Sequence, residues 1–222
     1  MQDASEVRKQ LHLKSFKYST EQFPFLDKIK DLFGCDPSQL HHFLGSYDVF
    51  KRSNDQSTLA HKTFYANFLR DFKSIYVDFV HEVVRPIIHP FRFYYQVIPT
   101  FRVGLPGNKF VGEYHKDSMY HHQSYEINFN LGISGYEGDA ALKSERKPDS
   151  NDFVLVECPY GTIFSFDHID CLHGSDINTS NKTMLSFDFR CALADLYFES
   201  NAQSVNKGVS FAPGKYFSPE AI

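Results

Sequence analysis

The spacing of apolar residues changes at about residue 90, and this change constrains the fold more than any other feature of the chain. Before that point, apolar residues recur at intervals of three to five, which is typical of an amphipathic helix. Between Thr58 and Ile88 the residues with this spacing are Leu59, Phe64, Phe68, Phe72, Ile75, Tyr76, Phe79, Val80 and Val83. Pro86 and Pro90 end the pattern, because proline lacks the N–H that a helix interior requires. We therefore predict one long helix or two closely linked helices, preceded by shorter helices over Gln22 to Phe33 and Pro37 to Phe43.

From about residue 91 the apolar residues alternate with polar ones, which indicates β-strands. Turn residues separate the runs, as in Leu105-Pro106-Gly107-Asn108. The predicted strands are Phe91 to Val97, Phe101 to Val103, Lys109 to Tyr114, Tyr125 to Ser134, Phe153 to Glu157, Thr162 to Phe166 and Met184 to Ala192. Many short strands in about 100 residues are typical of an antiparallel barrel or a double-sheet jelly roll. The predicted fold class is α+β, a jelly-roll (cupin-like) barrel with an N-terminal helical layer packed on one sheet.

The chain has no internal repeat and no linker-like stretch, so we predict one domain over residues 1–222. Residues 1–90 would form a helical support, residues 91–195 the jelly-roll core, and residues 196–222 a C-terminal tail that folds over the barrel mouth or frays. A chain of 222 residues can bury roughly 70% of its unfolded surface, so its core needs no crosslinks. The four cysteines are far apart in sequence, and we expect reduced thiols packed as small apolar side chains.

Composition argues against some classes of partner. The formal net charge is −4 and the pI about 6.2, so no basic field predicts binding to nucleic acid. The first residues are polar and no run approaches the length of a membrane span, so neither export nor membrane insertion is predicted. A cytoplasmic location follows by default. The expected partner is a small molecule, and nothing in the pattern indicates an oligomeric state.

Three residues have the composition and spacing of a metal site: His115, Asp117 two positions later, and His173 fifty-six positions further on. Side chains alternate across a strand, so residues i and i+2 project to the same face and can converge on one ion. Two imidazoles and one carboxylate form the facial triad of non-haem Fe(II) oxygenases, which leaves positions open for a co-substrate and dioxygen. The alternatives are a surface His–Asp pair that occurs by chance, since the chain has 11 histidines, and His168 as the distal ligand. No catalytic residue is predicted beyond the metal ligands.

An arginine on the last predicted strand is a candidate for binding an anion beside this metal. Arg190 shares the polar face of that strand with Ser186 and Asp188. An arginine that points into a barrel already holding a cation needs an anion, and a planar guanidinium binds a carboxylate through two parallel hydrogen bonds. The distal carboxylate of 2-oxoglutarate would be such an anion. The alternatives are a structural ion pair between Arg190 and Asp188, and Arg102 as the arginine that binds the carboxylate.

Further candidate contacts lie on neighbouring strands and in the loop after the H-x-D pair. Glu126 and Asn128 share the polar face of a predicted strand, which either lines the barrel near the metal or faces solvent. Asn128 and Gln96 are candidates for contacting the co-substrate, and Glu126 for contacting the substrate. His121 and His122 closely follow the H-x-D pair and are also candidates for the substrate, with a solvated loop pair as the alternative.

Four ordered segments carry a resemblance to a known family. They are YYQVIPTFRVGLPGNKFVGEYHKD (94–117), YEINFNLGIS (125–134), YGTIFSFDHIDCLHGSDIN (160–178) and MLSFDFR (184–190), with a weaker segment DQSTLAHKTFYANFLRDF (55–72). They resemble the phytanoyl-hydroxylase-like Fe(II)/2-oxoglutarate oxygenases, and within these the StrG-like group, which is named for a streptomycin-biosynthesis protein. The resemblance implies a double-stranded β-helix, with Fe(II), 2-oxoglutarate and dioxygen as cofactor and co-substrates. It maps the iron ligands onto His115, Asp117 and His173, and the oxoglutarate arginine onto Arg190.

The resemblance also implies a reaction, the oxidation of a C–H bond. We expect hydroxylation, or another oxidation, of a small polar metabolite in a biosynthetic pathway. Related halogenases replace the triad carboxylate with Gly or Ala, so Asp117 disfavours halogenation. Arg190 lies seventeen positions after His173, a longer interval than in many such oxygenases. Met184 stands where some relatives carry an arginine. The alternative functions are a cupin-like metalloenzyme that does not use 2-oxoglutarate and a non-catalytic jelly roll that binds a ligand.

Overall fold

The computed structural model describes residues 3–51, 54, 56–110, 113–138, 141–204 and 208–222. Within these ranges the α-helices are α1 (Ala4–Leu11), α2 (Phe25–Phe33), α3 (Leu59–Asp71), α4 (Lys73–Phe79) and α5 (Arg85–Ile88). The strands are β1 (Lys14–Lys17), β2 (Phe93–Tyr95), β3 (Thr100–Gly104), β4 (Glu126–Gly132), β5 (Leu142–Glu145), β6 (Phe153–Val156), β7 (Thr162–Ser165), β8 (His173–Ser175) and β9 (Met184–Leu193). Short 3-10 helices cover Pro37–Phe43, Asp117–Tyr120 and Ala194–Leu196, and a π-helical turn covers Val80–Val84. The predicted α+β class with antiparallel sheets is confirmed.

The described strands form two antiparallel sheets, and the long strand β9 lies at the centre of the larger one. In the larger sheet the order is β1-β7-β4-β9-β2, and β3 also pairs with β9. In the smaller sheet the order is β6-β5-β8. Strand β4 runs alongside β9 from the pair Glu126–Ala192 to the pair Gly132–Ser186. Because opposed residues on paired strands share a face, every second residue of β4 and β9 lies on one common polar surface.

The helices cover the apolar face of the larger sheet. The ring of Phe64 in α3 lies 4.5 Å from that of Phe101 in β3 and 5.1 Å from that of Phe187 in β9, measured between centroids. Tyr76 in α4 contacts Phe189 in β9 at 5.4 Å. All five side chains are fully buried, and burying one such ring stabilises the fold by roughly 1.5–3 kcal/mol. The predicted helical layer packed on one sheet is therefore confirmed.

The smaller sheet packs on the opposite side of the larger one. Leu142 of β5 and Val156 of β6 share an apolar cluster with Phe164 of β7. Phe164 lies directly opposite Asn130 of β4, so the polar surface of β4 and β9 faces the space between the two sheets. This arrangement settles the open question about β4, because Glu126, Asn128 and Asn130 are buried and do not face solvent.

Three local predictions about secondary structure were wrong or incomplete. The first 90 residues are not entirely helical, because Lys14–Lys17 forms strand β1 at the edge of the larger sheet, paired with β7. Strands β5 and β8 were not predicted, since each is only three or four residues long. The strand predicted over Lys109 to Tyr114 includes residues 111 and 112, which lie outside the described residues. In the described part of this segment, Lys109 forms only an isolated bridge, to Ile177.

The C-terminal tail folds back along β2. Phe93 and Ile222 exchange backbone hydrogen bonds of 3.1 and 3.0 Å, and the N–H of Ser218 donates to the carbonyl of Tyr95 at 2.7 Å. The described part of the tail therefore packs along β2 and is not frayed there, while its predicted place over the barrel mouth stays a prediction. The single-domain organisation stays a prediction. Among the described helices, none is long and apolar enough to cross a membrane.

Candidate metal centre

His115, Asp117 and His173 converge between the two sheets. Asp117 Oδ1 lies 3.2 Å from His115 Nε2 and 3.3 Å from His173 Nε2. One potential ligand atom from each residue lies within 4.8 Å of the others. All three residues are buried. The cluster therefore has the donor atoms and the dimensions to hold one metal ion.

Backbone contacts fix both imidazole rings in one orientation. His115 and His173 face each other across an isolated antiparallel bridge, with N–H···O distances of 2.8 and 2.9 Å. His115 Nδ1 lies 2.7 Å from the carbonyl of Glu113, and His173 Nδ1 lies 3.0 Å from the carbonyl of Cys171. Because a carbonyl can only accept, each Nδ1 is placed to donate to it, which leaves Nε2 as the ring atom directed at the cluster. Burial also lowers the pKa of His173, which favours the neutral ring.

Asp117 reaches the cluster by a different route from the one predicted. His115 lies in a bridge, but Asp117 begins the 3-10 helix Asp117–Tyr120, and its N–H donates to the carbonyl of His168 at 2.8 Å. The prediction that both residues lie in one strand was therefore wrong, although their side chains do converge. In the cluster found among the described residues, the distal histidine is His173 and not the rival candidate His168.

The second oxygen of Asp117 contacts Arg190. Arg190 Nη2 donates to Asp117 Oδ2, and Arg190 Nη1 donates to Asp188 Oδ1 at 2.5 Å. Burial raises the pKa of Asp117, but the guanidinium of Arg190 and the imidazoles of His115 and His173 outweigh it and hold that pKa well below its usual range. Asp117 is therefore a carboxylate, the form that a metal requires.

Asp188 joins Arg190 to a second arginine. Asp188 Oδ2 accepts a hydrogen bond of 3.1 Å from Arg102 Nη2, so Arg102, Asp188, Arg190 and Asp117 form a continuous charge chain. Each of these side chains is 13% exposed or less. Burial raises the pKa of Asp188, but both arginines lower it and the net shift is downward. The ion pair named above as the alternative role for Arg190 is thus present.

A cavity opens beside the two histidines. Its polar side contains Arg102, Asn130, Asp188 and Arg190 together with His115 and His173, and its apolar side contains Phe110, Tyr136, Leu142 and Phe166. The cavity therefore brings two of the predicted metal ligands, His115 and His173, and both candidate arginines to one space. Concave sites with a few convergent polar groups on an otherwise apolar wall are typical of small-molecule binding.

Several buried polar atoms on strands β4 and β9 have no hydrogen-bond partner among the residues that the structure describes. They are both amide atoms of Asn128, Nδ2 of Asn130, Oγ of Ser186 and Nε of Arg190. A buried donor or acceptor left without a partner costs roughly 1–3 kcal/mol. These atoms lie on the common polar surface of β4 and β9, so this surface is built to contact a ligand or water.

The remaining co-substrate candidate, Gln96, uses its side chain within the scaffold. Its Oε1 accepts from the N–H of Arg190 at 3.2 Å and from the hydroxyl of Tyr216 at 2.9 Å. Its Nε2 donates to the carbonyl of Ile98 at 2.7 Å. The geometry therefore favours a structural role for Gln96, which links β9 to the C-terminal tail. Sequence reasoning missed Tyr216, since only its aromatic character distinguished it within a polar tail.

Of the three substrate candidates, Glu126 and His122 contact each other and His121 is exposed. Glu126 is fully buried, and its carboxylate contacts His122 Nδ1 at 2.6 Å and the N–H of Gln123 at 2.7 Å. The ring of His122 packs on Phe211 of the tail, with centroids 4.6 Å apart. His121 is exposed, with a φ of +69°, and this position gives no support to a substrate contact. Glu126 and His122 stay predictions for the substrate.

Two imidazoles and one carboxylate on an antiparallel β framework are the donor set of non-haem iron oxygenases. The site and its β framework therefore support an oxygenase as the class of protein.

Comparison with known proteins finds relatives by sequence and by fold. No family model matches the chain. The chain is 28% identical over 207 residues to the streptomycin biosynthesis protein StrG of Streptomyces griseus, which covers 90% of this chain and 95% of that protein. The resemblance to the StrG-like group is thus confirmed. Similar solved structures include the nickel complex of the non-haem monooxygenase ThoJ, at 13% identity with 98% and 88% of the two chains covered and a TM-score of 0.46. Another is SnoK, a non-haem α-ketoglutarate-dependent carbocyclase from nogalamycin biosynthesis, at 10% identity with 87% of each chain covered and a TM-score of 0.48.

Proposed function

We propose that this protein is a non-haem Fe(II)- and 2-oxoglutarate-dependent oxygenase. The observation that carries the proposal is the buried cluster of His115, Asp117 and His173, in which both Nε2 atoms face the ionised carboxylate of Asp117. Three protein ligands leave positions open on the metal for a co-substrate and dioxygen, whereas a structural zinc site usually takes four. Iron bound there would supply the activation of dioxygen, and the protein's own side chains would orient the ligands and exclude water.

The charges around the cavity support a dianionic co-substrate. Arg102 and Arg190 balance Asp117 and Asp188, so the charge chain is neutral without a metal. A divalent cation adds two positive charges to this buried space, and uncompensated buried charge is strongly unfavourable. A dianion such as 2-oxoglutarate would restore neutrality. Asn130 Nδ2 and Arg190 Nε lack partners in the described part of the chain, and both could donate hydrogen bonds to its oxygens.

We also infer that the two sheets form the double-stranded β-helix of such oxygenases. The sheets pack face to face through the apolar cluster that includes Leu142 and Phe164. The isolated bridge between His115 and His173 pairs the segment before the 3-10 helix with β8 of the smaller sheet. The metal cluster would then lie at one end of the space between the sheets.

We further propose that the reaction oxidises a C–H bond of a small polar metabolite in a biosynthetic pathway, most simply by hydroxylation. The likeness to StrG, a protein of streptomycin biosynthesis, supports a biosynthetic role. The buried carboxylate of Glu126 and the adjacent His122 support a polar substrate. The presence of Asp117 argues against halogenation, for which the carboxylate position would be left open.

Two alternative functions make different predictions. A cupin-like metalloenzyme would use the same ligands but would not need a dianion beside the metal. A non-catalytic jelly roll would bind a ligand in this space but would need no metal at His115, Asp117 and His173. The proposal is therefore tested by whether metal binds and whether oxoglutarate binds after it.

The test is an anaerobic titration of the protein with Fe(II) and then with 2-oxoglutarate. We expect a weak visible charge-transfer band and a higher melting temperature, both abolished by His115→Ala. The matched control is His121→Ala, since His121 is an exposed histidine six positions later and its loss should change neither signal. Metal binding without any response to oxoglutarate would favour the cupin-like alternative. No metal binding at all would overturn the proposal.

A further inference from the structure

We propose that a second polar site, beside the metal cluster, binds an uncharged part of the substrate that carries several hydroxyl groups. The site consists of His168, Asn128 and His122, with Phe211 and Tyr216 of the C-terminal tail as its outer wall, and we call it the His168 site. None of these five residues is among those that line the cavity described above. Asn128, which the sequence suggested for the co-substrate, is here a contact for the substrate. That the bound compound is the substrate rests on the proposed function.

The His168 site adjoins a metal ligand. The carbonyl of His168 accepts the N–H of Asp117 at 2.8 Å. Burial lowers the pKa of His168, and the charges of Asp117 and Arg190 also act on it, so its ring lies near both. Asn128 lies directly across from Arg190 in the pairing of β4 with β9. The ring of His122 lies 6.4 Å from that of His168, measured between centroids.

Four buried polar atoms in this site lack partners. Both ring nitrogens of His168 and both amide atoms of Asn128 make no hydrogen bond within the described ranges. His168 is 0% exposed and Asn128 is 1% exposed. Burying a polar atom without a partner is unfavourable, and such atoms are rare in folded proteins. Four of them on two neighbours of one ion pair therefore indicate a ligand that supplies the missing hydrogen bonds.

The four atoms favour an uncharged ligand group. A neutral imidazole has one donor and one acceptor, and burial of His168 favours the neutral ring. The carboxamide of Asn128 also offers both, an NH2 donor and an oxygen acceptor. A hydroxyl group donates and accepts as well, so a compound with several hydroxyl groups can meet all four atoms. An ammonium group only donates and a carboxylate only accepts, so either would leave part of the set without partners.

The charged groups that border the site are already paired within the protein. The carboxylate of Glu126 contacts His122 Nδ1 at 2.6 Å. The guanidinium of Arg190 is bonded to the carboxylates of Asp117 and Asp188. Glu126 therefore acts as a positioning residue for His122, and a charged ligand group would find no free counter-charge on Glu126 or Arg190.

Two aromatic residues of the tail form the outer wall of the site. The rings of Phe211 and Tyr216 lie 4.6 and 6.2 Å from that of His122. The hydroxyl of Tyr216 donates to Gln96 Oε1 at 2.9 Å, and the same oxygen accepts the N–H of Arg190 at 3.2 Å, which anchors the tail to β9. An aromatic wall beside a few convergent polar groups is typical of a small-molecule site. It fits a carbon ring that carries hydroxyl groups on its edge and C–H groups on its faces.

The first experiment compares three probes of one ring shape and different charge in the metal-free protein. They are D-glucose, protonated D-glucosamine and D-glucuronate, and their affinities are measured by NMR titration. We expect D-glucose to bind at least about fivefold more tightly than either charged probe, the order expected when one hydrogen bond is lost. The inference is overturned if D-glucose does not bind, or if a charged probe binds as tightly.

The second experiment removes the four polar atoms at nearly constant shape. Asn128→Leu and His168→Phe should each weaken D-glucose binding about tenfold, because each removes two hydrogen-bonding atoms. Neither should lower the Tm of the ligand-free protein, since an apolar replacement of a buried group without a partner is nearly neutral or stabilising. His168→Gln keeps a donor and an acceptor, so it should retain more D-glucose binding than His168→Phe and covers the case in which the latter does not fold.

The matched control is His89→Phe, at an exposed histidine after α5, which should bind the probes as the wild type does. Unchanged D-glucose binding in both Asn128→Leu and His168→Phe would overturn the inference. A lower Tm in both variants would show that these atoms serve the fold and would overturn it as well.

A third measurement locates the bound probe. Mn(II) in the cluster of His115, Asp117 and His173 should speed the relaxation of the protons of bound D-glucose, because the His168 site adjoins Asp117. Binding of D-glucose without this effect would be adventitious binding elsewhere and would overturn the inference. If Mn(II) itself does not bind, the proposed metal site is wrong, while the titrations of the metal-free protein still decide whether the His168 site exists.

Discussion

Ion pairs of Arg8 anchor helix α1 to the loop that supports Asp117, and we expect their loss to lower the stability of the fold. Arg8 is 3% exposed, and its Nε donates to Asp167 Oδ1 at 3.0 Å while Nη2 donates to Asp170 Oδ2 at 3.1 Å. Its Nη1 donates to the carbonyl of Ser124. Asp167 precedes His168, the residue whose carbonyl accepts the N–H of Asp117. Arg8 thus joins the N-terminal helix to the loop that supports the candidate metal ligand.

The cost of removing Arg8 is dominated by one buried carboxylate. Asp170 is 44% exposed, and an exposed ion pair contributes about 0–1 kcal/mol. Asp167 is 3% exposed, and loss of one partner from a buried pair costs roughly 3–5 kcal/mol because the other charge is left uncompensated. We therefore expect Arg8→Met to lower the free energy of unfolding by about 3–5 kcal/mol. For a domain of this size each kcal/mol corresponds to about 2–4 °C in Tm, so Tm should fall by roughly 6–20 °C.

A double-mutant cycle in urea checks the reason as well as the size. The midpoint should shift without a change in slope, since the surface exposed on unfolding is nearly constant. In Arg8→Met combined with Asp167→Asn, the buried charge is gone, so the double variant should be more stable than Arg8→Met alone. Arg70→Met, which removes an exposed arginine, should leave the midpoint unchanged. If Arg8→Met costs less than about 1 kcal/mol, or if Asp167→Asn restores nothing, the buried-charge reasoning is refuted.

Two further predictions concern the core and the support of β8. Phe64→Ala should lower the free energy of unfolding by roughly 3–5 kcal/mol, because the ring is fully buried between α3 and the sheet. Leu69 is 67% exposed on the same helix, so Leu69→Ala should change that free energy by no more than about 0.5 kcal/mol. Equal effects of the two variants in urea unfolding would contradict the packing described here. Burial raises the pKa of Glu145, but backbone N–H donors from Leu172, Asn151 and Asp149 outweigh it and lower that pKa below 4.5. The stability that Glu145 contributes is therefore fully present above the unfolded pKa and is lost as pH falls through the lower folded pKa. The difference in unfolding free energy between wild type and Glu145→Gln should shrink on acidification, and a difference independent of pH would count against this.

The fold was predictable where one periodic pattern determines both an element and its buried face. The spacing of Phe64 and its neighbours indicated the helical layer, and alternation from Tyr125 and from Met184 indicated the two long central strands. Strand β1 was not predictable in this way, because Lys14–Lys17 has one apolar residue and is held by pairing with β7, about 150 residues away in sequence. Edge strands of this kind depend on partner backbone groups more than on their own side chains.

The candidate site shows the same division between local pattern and long-range contact. Alternation on β9 placed Arg190 and Asp188 on the inner face, and the H-x-D spacing brought His115 and Asp117 together. Alternation could not show which carboxylate each arginine contacts, because that depends on the register of β9 with β3 and on a turn at Asp117. Of the two roles predicted for Arg190, the ion pair with Asp188 is present, and the contact with 2-oxoglutarate stays a prediction.

On the proposed function, the charge chain would make metal binding and anion binding interdependent. The charge chain from Arg102 to Asp117 is neutral by itself, so a dianion entering before the metal would add uncompensated negative charge to a buried space. The same dianion entering after a divalent cation would neutralise it. Coupling between two ligands is reciprocal, so 2-oxoglutarate should raise the affinity for the metal by the same factor by which the metal raises the affinity for 2-oxoglutarate. Because Asp188 holds both arginines, it is the residue through which this coupling would pass from Arg102 to the carboxylate of Asp117.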